Sequence, residues 1–481
     1  MTSDMILAIL PEIGLLVLVG VVLVVDIFLR KENSRILGWV TLVGLVVIAL
    51  MSLLFSTPPA EPQLIWGGML RADSAGFVFR LIFLSGAALT TLFVLENPEV
   101  GQRGEFYILL LVSTLGMNLM AASADLIMLY LAVETTSIPL YVMAGFVTRD
   151  QKSVESGMKY LLFGAMTSAV MLYGFSLLYG FTGTTQIYEQ AALLRTGELP
   201  VISVMVAALL VLAGFSFKIS AVPFHFWAPD VYEGAPTPVA GFLSTASKAA
   251  GFIVLLRVLL GVFPDMLPYW SLTLGIMATA SMFVGNFLAL AQKNIKRMLA
   301  YSSIAQAGYI LIGVAAGSQL GSTGATYYLM AYLVTNLAAF GVVAVVGSKL
   351  GSDEISAYAG LSRRSPGLAL VMLAALLSLG GIPPFAGFIG KLLVLAAAVE
   401  VNLIWLALVG VINSIIALYY YLNVLKVIYV GRSEGDEQAL SFDRTWTTAL
   451  LICAVGVVVL GVIIAPWYGW SFGAAQTLII H

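Results

Sequence analysis

Charge is the property this chain of 481 residues has least of: only 10% of its residues are Asp, Glu, Lys or Arg, against about 25% in an ordinary soluble domain. So little charge, with 60% hydrophobic residues, excludes a water-dispersed globule. The charges nearly cancel, at a formal net of −2, which excludes the basic face that nucleic-acid binding needs. There is one cysteine, Cys453, inside an apolar run, and there are two histidines. That is too few for a disulfide framework or a metal set, and Cys453 reads as a small buried apolar residue.

What the chain has instead is long apolar runs near or above the ~20 residues that cross a bilayer. They fall at 6–29, 36–55, 75–95, 105–122, 126–147, 159–181, 200–228, 238–263, 269–292, 298–317, 326–348, 366–399, 403–430 and 446–468. The expectation is an all-α polytopic membrane protein of about fourteen transmembrane helices. The first run, from near Ile6, is long enough to be a span and is not expected to be removed as a signal peptide. No connection between runs has room for a nucleotide or flavin fold, so any redox chemistry belongs to a partner.

Basic residues set the expected topology. With fourteen spans, one side collects Arg30, Lys31, Arg35, Arg103, Arg149, Lys152, Lys159, Lys293, Lys296, Arg297, Lys349, Arg363, Arg364, Lys426, Arg432 and Arg444, and the other only Arg71 and Arg195. The positive-inside rule makes the first side cytoplasmic and places both termini outside the cytoplasm. Two runs are too long for one crossing: at 1.5 Å per residue, 200–228 would extend about 43 Å and 366–399 about 50 Å. Each holds breakers, Pro223 in the first and Gly380, Gly381, Pro383 and Pro384 in the second. Both are expected to be discontinuous helices, which are tolerated where backbone lines a cavity and commonly mark a transport path.

Ionisable groups remain inside the spans: Glu134, Lys218, Lys248, Lys391, Arg80 and Arg257. Each costs roughly 2.5–3.5 kcal/mol at mid-bilayer, so each calls for a use. Glu134 and the three lysines are taken as proton-relay groups. Lys218 precedes the first break, Lys391 follows the second, and Lys248 is flanked by small residues that let another helix approach. Arg80 and Arg257 lie near helix ends and are expected to snorkel to the interface, with Glu12 and Asp26 also interfacial. His225 suits a proton path by its titration range or, equally, a hydrogen bond to its Pro-rich loop. Asp230 and Glu233 stand as loop-ordering or proton-entry groups. The tyrosines 419–421 read as belt or packing residues.

Lysine and glutamate suit the task because burial discharges an amine and a nearby carboxylate recharges it. Moving one proton against roughly 150 mV takes about 3.5 kcal/mol at ~2.3 kcal/mol per 100 mV. A unit-charge pair at ~4 Å is worth about 4 kcal/mol at an effective dielectric of 20. Making or breaking one Glu–Lys contact is therefore a switch of adequate size, for which a passive pore has no need.

Three blocks, PFHFWAPDVYEGAPTPVAGFLSTASKAAGF (223–252), NIKRMLAYSSIAQAGYI (294–310) and SLGGIPPFAGFIGK (378–391), resemble the signatures of the antiporter-like membrane subunits of complex I, the NADH–quinone oxidoreductase, and of multisubunit cation/proton antiporters. The likeness runs from about residue 105 to 430. It is nearest the N-type (subunit 2) branch, since Lys391 stands where M-type relatives carry glutamate and the long lateral helix of the L type is missing. The resemblance implies two inverted five-helix repeats, 105–263 and 264–430, flanked by three helices in 1–104 and a last helix in 431–481. It also implies conduction through Glu134, Lys218, Lys248 and Lys391, no cofactor on this chain, and FMN, iron–sulfur clusters, NADH and quinone on or with partner subunits. The expected setting is a bacterial cell membrane, with other complex I subunits and lipid as partners. The alternative is a subunit of a multisubunit sodium/proton antiporter.

Overall fold

The computed structural model describes residues 3–29, 34–97, 99–195, 200–263, 266–432 and 439–478. Among them thirteen helices are long and apolar enough to cross a membrane. They are α1 (Leu10–Phe28), α2 (Arg35–Phe55), α3 (Ser74–Val94), α4 (Gly104–Ala122), α5 (Leu126–Ala144), α6 (Gln151–Thr182) and α7 (Val201–Lys218), which a short α8 (Trp227–Gly234) follows. Next come α9 (Thr237–Val262), α10 (Leu267–Leu290), α11 (Ile295–Ala316) and α12 (Gln319–Leu350). A further crossing is built from two 15-residue pieces, α13 (Pro366–Gly380) and α14 (Ala386–Glu400). The chain ends with α15 (Ile404–Val430), α16 (Arg444–Val462) and α17 (Ile464–Leu478). Counting the α13–α14 pair as one, the described residues hold the fourteen crossing-length segments expected.

Local chemistry explains the ends. Asp73, Asp125, Asp150, Asn294 and Ser318 each cap a helix by accepting backbone N–H bonds through their side chains, which satisfies donors that a helix start leaves open. Both expected breaks are present. α7 stops at Lys218 and the helix resumes at Trp227; α13 stops at Gly380, with Gly381 left-handed at φ 82°, and resumes at Ala386. Val222–Pro223 and Pro383–Pro384, one in each break, are cis. By the order of crossings, the broken helices run in opposite directions through the bundle.

The basic side assembles as one face. Arg35 at the start of α2, Glu96 beyond α3 and Thr445 at the start of α16 meet there: Arg35 pairs with Glu96, and Thr445 donates to Glu96 at 2.6 Å. Of the basic residues assigned to that face, Arg30 and Lys31 lie outside the described residues. On the opposite face, a small hairpin of β1 (Gln63–Ile65) and β2 (Leu70–Ala72), a helix at Ile187–Leu194 and α17 pack over the helix ends. None of these three was legible in the apolar runs. The C-terminal run expected at 446–468 is divided instead: α16 ends at Val462, and α17 folds back onto α3 and α12.

Surface exposure separates rim from core. α1, α2 and α6 carry rows of exposed Leu, Val, Ile and Phe, whereas α9, α11 and α12 are buried almost throughout. A helix apolar on all sides belongs in such a core, and most polar side chains along these three helices are buried.

Two expectations about charge change. Arg80 and Arg257 do not snorkel. Arg80 Nε donates to Glu12 Oε1 at 3.0 Å, with both groups buried. Arg257 grips Asp73 through both terminal nitrogens, at 2.8 and 3.0 Å, and also donates to Tyr188 at 3.1 Å. Carboxylates supplied by α1 and by the cap of α3 neutralise them inside the protein, so neither side chain needs to reach the interface. Glu12 is accordingly buried rather than interfacial.

Candidate functional site

Three lysines lie in the core: Lys218, Lys248 and Lys391 are at most 5% exposed. Among the described residues none has a carboxylate within 4.0 Å, so the bundle buries three amines without an ion-pair partner.

The helix breaks supply what carboxylates do not. The last turn of a helix presents unpaired carbonyls and the negative end of its dipole. Lys218 is the final residue of α7 and sits at that end. Lys391, on α14, reaches back across the second break, where its Nζ donates to Gly380 O at 3.1 Å and stands 4.4 Å over the Tyr309 ring. The pieces α13 and α14 close tightly there: a Cβ on Gly387 would fall 2.0 Å from Ser378 O, so only glycine fits. The second break thus aims a carbonyl end at a lysine, while at the first the Lys218 Nζ makes no hydrogen bond among the described residues.

Lys248 is held differently. It immediately follows a π-helical turn, Leu243–Ser247 within α9, a distortion that recurs at functional sites. Its Nζ donates to Ser303 O at 2.7 Å and to Ser303 Oγ at 2.5 Å on α11. Asn336 of α12 donates to Ser244 in the π turn at 2.6 Å. Lys248 and Lys218 are neighbours across α9 and α7, because one turn beyond Lys248 lies Gly251, where a Cβ would meet Ile219 at 2.8 Å and Lys218 Cβ at 3.1 Å.

From Ser303 a polar line runs along α11 toward Lys391. Ser302 and the Tyr421 hydroxyl are 2.5 Å apart; Gln306 Nε2 donates to Tyr421 at 3.2 Å and to Leu379 O, in the last turn of α13, at 3.0 Å; and Tyr328 donates to Gln306 Oε1. Between Lys218 and Ser303 the capacity is open. Lys218 Nζ and the hydroxyls of Ser216, Ser220, Tyr232 and Tyr332 are buried with no protein partner among the described residues, and both tyrosines lie beside Ser303. Buried polar groups of this kind take water as their partner.

Glu134 is half-buried on α5 and accepts from Ser168 at 2.5 Å. It is near enough to act electrostatically on Lys218, yet no Glu134–Lys218 pair closes within 4.0 Å. The switch contact expected from the sequence is open here. His225 is buried in the first break and packed on the Phe226 ring at 4.3 Å. No hydrogen bond or ion pair among the described residues joins it to the lysines. Asp230 and Glu233 are engaged on the basic face: Lys159 and Arg297 reach Asp230 at 2.6 and 2.7 Å, and Arg297 and Lys152 reach Glu233 at 2.9 and 3.0 Å. That clamp ties α8 to α6 and α11, in keeping with a loop-ordering role.

The sequence reading missed Ser302, Ser303, Gln306, Tyr328 and Tyr421. A signal was present: serine, glutamine and tyrosine at positions 302, 303, 306 and 309 recur at three- to four-residue spacing inside a span. Of the three consecutive tyrosines taken as belt or packing, Tyr419 is exposed, while Tyr420 and Tyr421 point into the polar core.

Comparison with known proteins bears on this geometry. Residues 123–417 match a family model described as NADH:quinone oxidoreductase/Mrp antiporter, TM. NADH-quinone oxidoreductase subunit N of Trichlorobacter lovleyi is 42% identical over 459 residues, covering 95% of this chain and 94% of that protein. A chain of respiratory complex I from Thermus thermophilus, solved with bound aureothin, superposes with a TM-score of 0.81 at 33% identity, over 95% of this chain and 98% of that one. A chain of the Mrp complex from Dietzia sp. superposes with a TM-score of 0.87 at 22% identity, over 99% and 98%, which is a likeness of fold.

Proposed function

The chain belongs to the membrane-subunit family shared by NADH:quinone oxidoreductases and Mrp antiporters, and from that premise we propose that it is the N-type subunit of a proton-translocating NADH–quinone oxidoreductase. It moves protons through the bilayer while partner subunits, carrying FMN and iron–sulfur clusters, pass electrons from NADH to quinone. Its partners are the other membrane subunits, the redox arm they hold, and lipid. It spans a bacterial cell membrane with the basic face in the cytoplasm and both termini outside, and residues 105–263 and 264–430 form its two antiporter-like halves.

One observation carries this proposal: three buried lysines, with no described carboxylate within 4.0 Å, stand along a row of polar side chains through the core. An amine held away from acids can lose its proton, and a serine, glutamine, tyrosine or water beside it can pass that proton on. Glu134 is the partner whose approach to Lys218 charges the amine and whose retreat releases the proton; Lys248 and Lys391 carry it through the second half. His225 stands beside this route as a further relay group in the first break.

A sodium/proton antiporter subunit is the second reading, and the match to the Mrp chain favours it only at the level of fold. The 42% identity to a subunit N across nearly the whole chain favours the first. The test is NADH-driven proton uptake into vesicles, normalised to assembled complex. Glu134→Ala and Lys218→Ala are each expected to cut uptake strongly, and Glu134→Asp to retain more. Wild-type pumping and quinone reduction in Glu134→Ala would refute the switch.

A further inference from the structure

On the basic face, where α11 begins, lies a cavity of about 630 Å³. Its walls come from the loops after α3, α5, α8, α12 and α15, the starts of α6, α9, α11 and α16, and the end of α12. Five carboxylates, Glu96, Glu99, Asp150, Asp353 and Asp443, face it with two amines, Lys296 and Lys349. Lys296 is unlike the others. It is 5% exposed, and its Nζ, with three N–H directions, makes one hydrogen bond among the described residues, to Ala235 O at 2.8 Å, with Asp353 at 3.7 Å. Asp353, Glu233, Asp150 and Lys152 are the charges that act on it from the neighbouring elements.

Lys296 also lies on the helix that carries the relay. Ser303, the residue bonded to Lys248, is seven positions further along α11, on the same face and about 10 Å away at 1.5 Å per residue. A surface amine would have no reason to be buried over this stripe.

Resting on the translocation role above, we propose that this cavity is the proton-collecting vestibule of the chain and that Lys296 is the relay group at its floor. The carboxylates outnumber the two amines and concentrate hydronium from the cytoplasm, as a cleft of net negative charge does for any small cation. An N–H bond of the Lys296 ammonium breaks, and its proton passes by water and Ser303 to the neutral amine of Lys248, where an N–H bond forms. Hydronium in the vestibule then returns a proton to Lys296 and leaves water.

The test uses the assembled complex in vesicles and reads proton uptake per NADH oxidised. Ser348→Arg places a cation on the exposed vestibule wall, away from the lysine line. It is expected to lower uptake by about threefold to tenfold at low salt and to approach wild type as salt rises. If Ser348→Arg impairs assembly, Ser348→Cys modified after assembly with a cationic thiol reagent serves instead, with identically treated wild type as control. Lys296→Gln and Lys296→Arg should both pump poorly, because arginine keeps the charge but does not release its proton. Wild-type uptake at low salt with the cation on the wall, or full uptake in Lys296→Arg, would overturn the vestibule. Wild-type complex that oxidises NADH without moving protons would overturn the translocation role itself.

Discussion

At the hairpin end of the bundle, Arg80 is bonded to Glu12 and Arg257 is clamped on Asp73 by two hydrogen bonds. In the core, Lys218, Lys248 and Lys391 are as deeply buried, but no described carboxylate lies within 4.0 Å of any of them. The residue types differ along with the pairing. Arginine stays charged under all ordinary conditions, so a buried one must be paired, and once paired it is a fixed tie between helices. Lysine tolerates isolation because it can discharge. Under the proposed function the contrast separates charge used for construction from charge used for transport, and it should be visible in how each site fails.

The largest effect should come from the construction side. Asp73→Ala strands the Arg257 guanidinium in the core, at a cost of about 3–5 kcal/mol, and is expected to deplete assembled complex on native gels. Replacing both partners, Asp73→Ala with Arg257→Met, should recover part of the assembly. Lys248→Met, by contrast, should assemble at near wild-type levels and lose proton uptake. Equal assembly of Asp73→Ala and Lys248→Met would erase the distinction.

A smaller effect is expected along the line itself. Tyr421→Phe removes the hydroxyl that meets both Ser302 and Gln306 while leaving the ring packed. Uptake per NADH should fall severalfold with stability altered by about 1 kcal/mol, the net worth of an ordinary hydrogen bond. Unchanged uptake would show that the proton route bypasses Tyr421.

The smallest concerns Glu96, outside the spans. Burial pushes its carboxyl up, but the Thr445 hydroxyl, Arg35 and a hydrogen bond shared with Asp443 together outweigh that and hold it below the ordinary glutamate range. A depressed acid stabilises the fold fully above its unfolded value and loses that contribution as pH falls through the folded one. The melting difference between wild type and Glu96→Gln should thus be constant at neutral pH and shrink in acid. A difference that grows on acidification would contradict this.

How much of this was legible in the sequence follows the same division. Crossings and breaks were legible, because each is written as an apolar run or a Gly/Pro interruption of one. The buried lysines stood out because a charge inside a span has few explanations. Pairing was not legible: nothing near Arg257 in sequence points to Asp73, 184 positions away, so both arginines were expected at the interface. Lys296 was counted among the loop charges because it precedes an apolar run by two residues, whereas α11 begins one residue earlier and buries it. The β-hairpin and α17 were missed because short elements packed over helix ends carry no run of their own.

Lys391→Arg tests the central claim most directly. Arginine can occupy the carbonyl end of α13 and keep the positive charge over Tyr309, so a lysine serving only as scaffold would be replaced without loss. A relay lysine must give up its proton in every cycle, which arginine does not do. The measurement is NADH-driven proton uptake into vesicles, normalised to assembled complex. The expected result is normal assembly with severely reduced uptake; uptake equal to wild type would contradict proton conduction through Lys391 and the route through the second half with it.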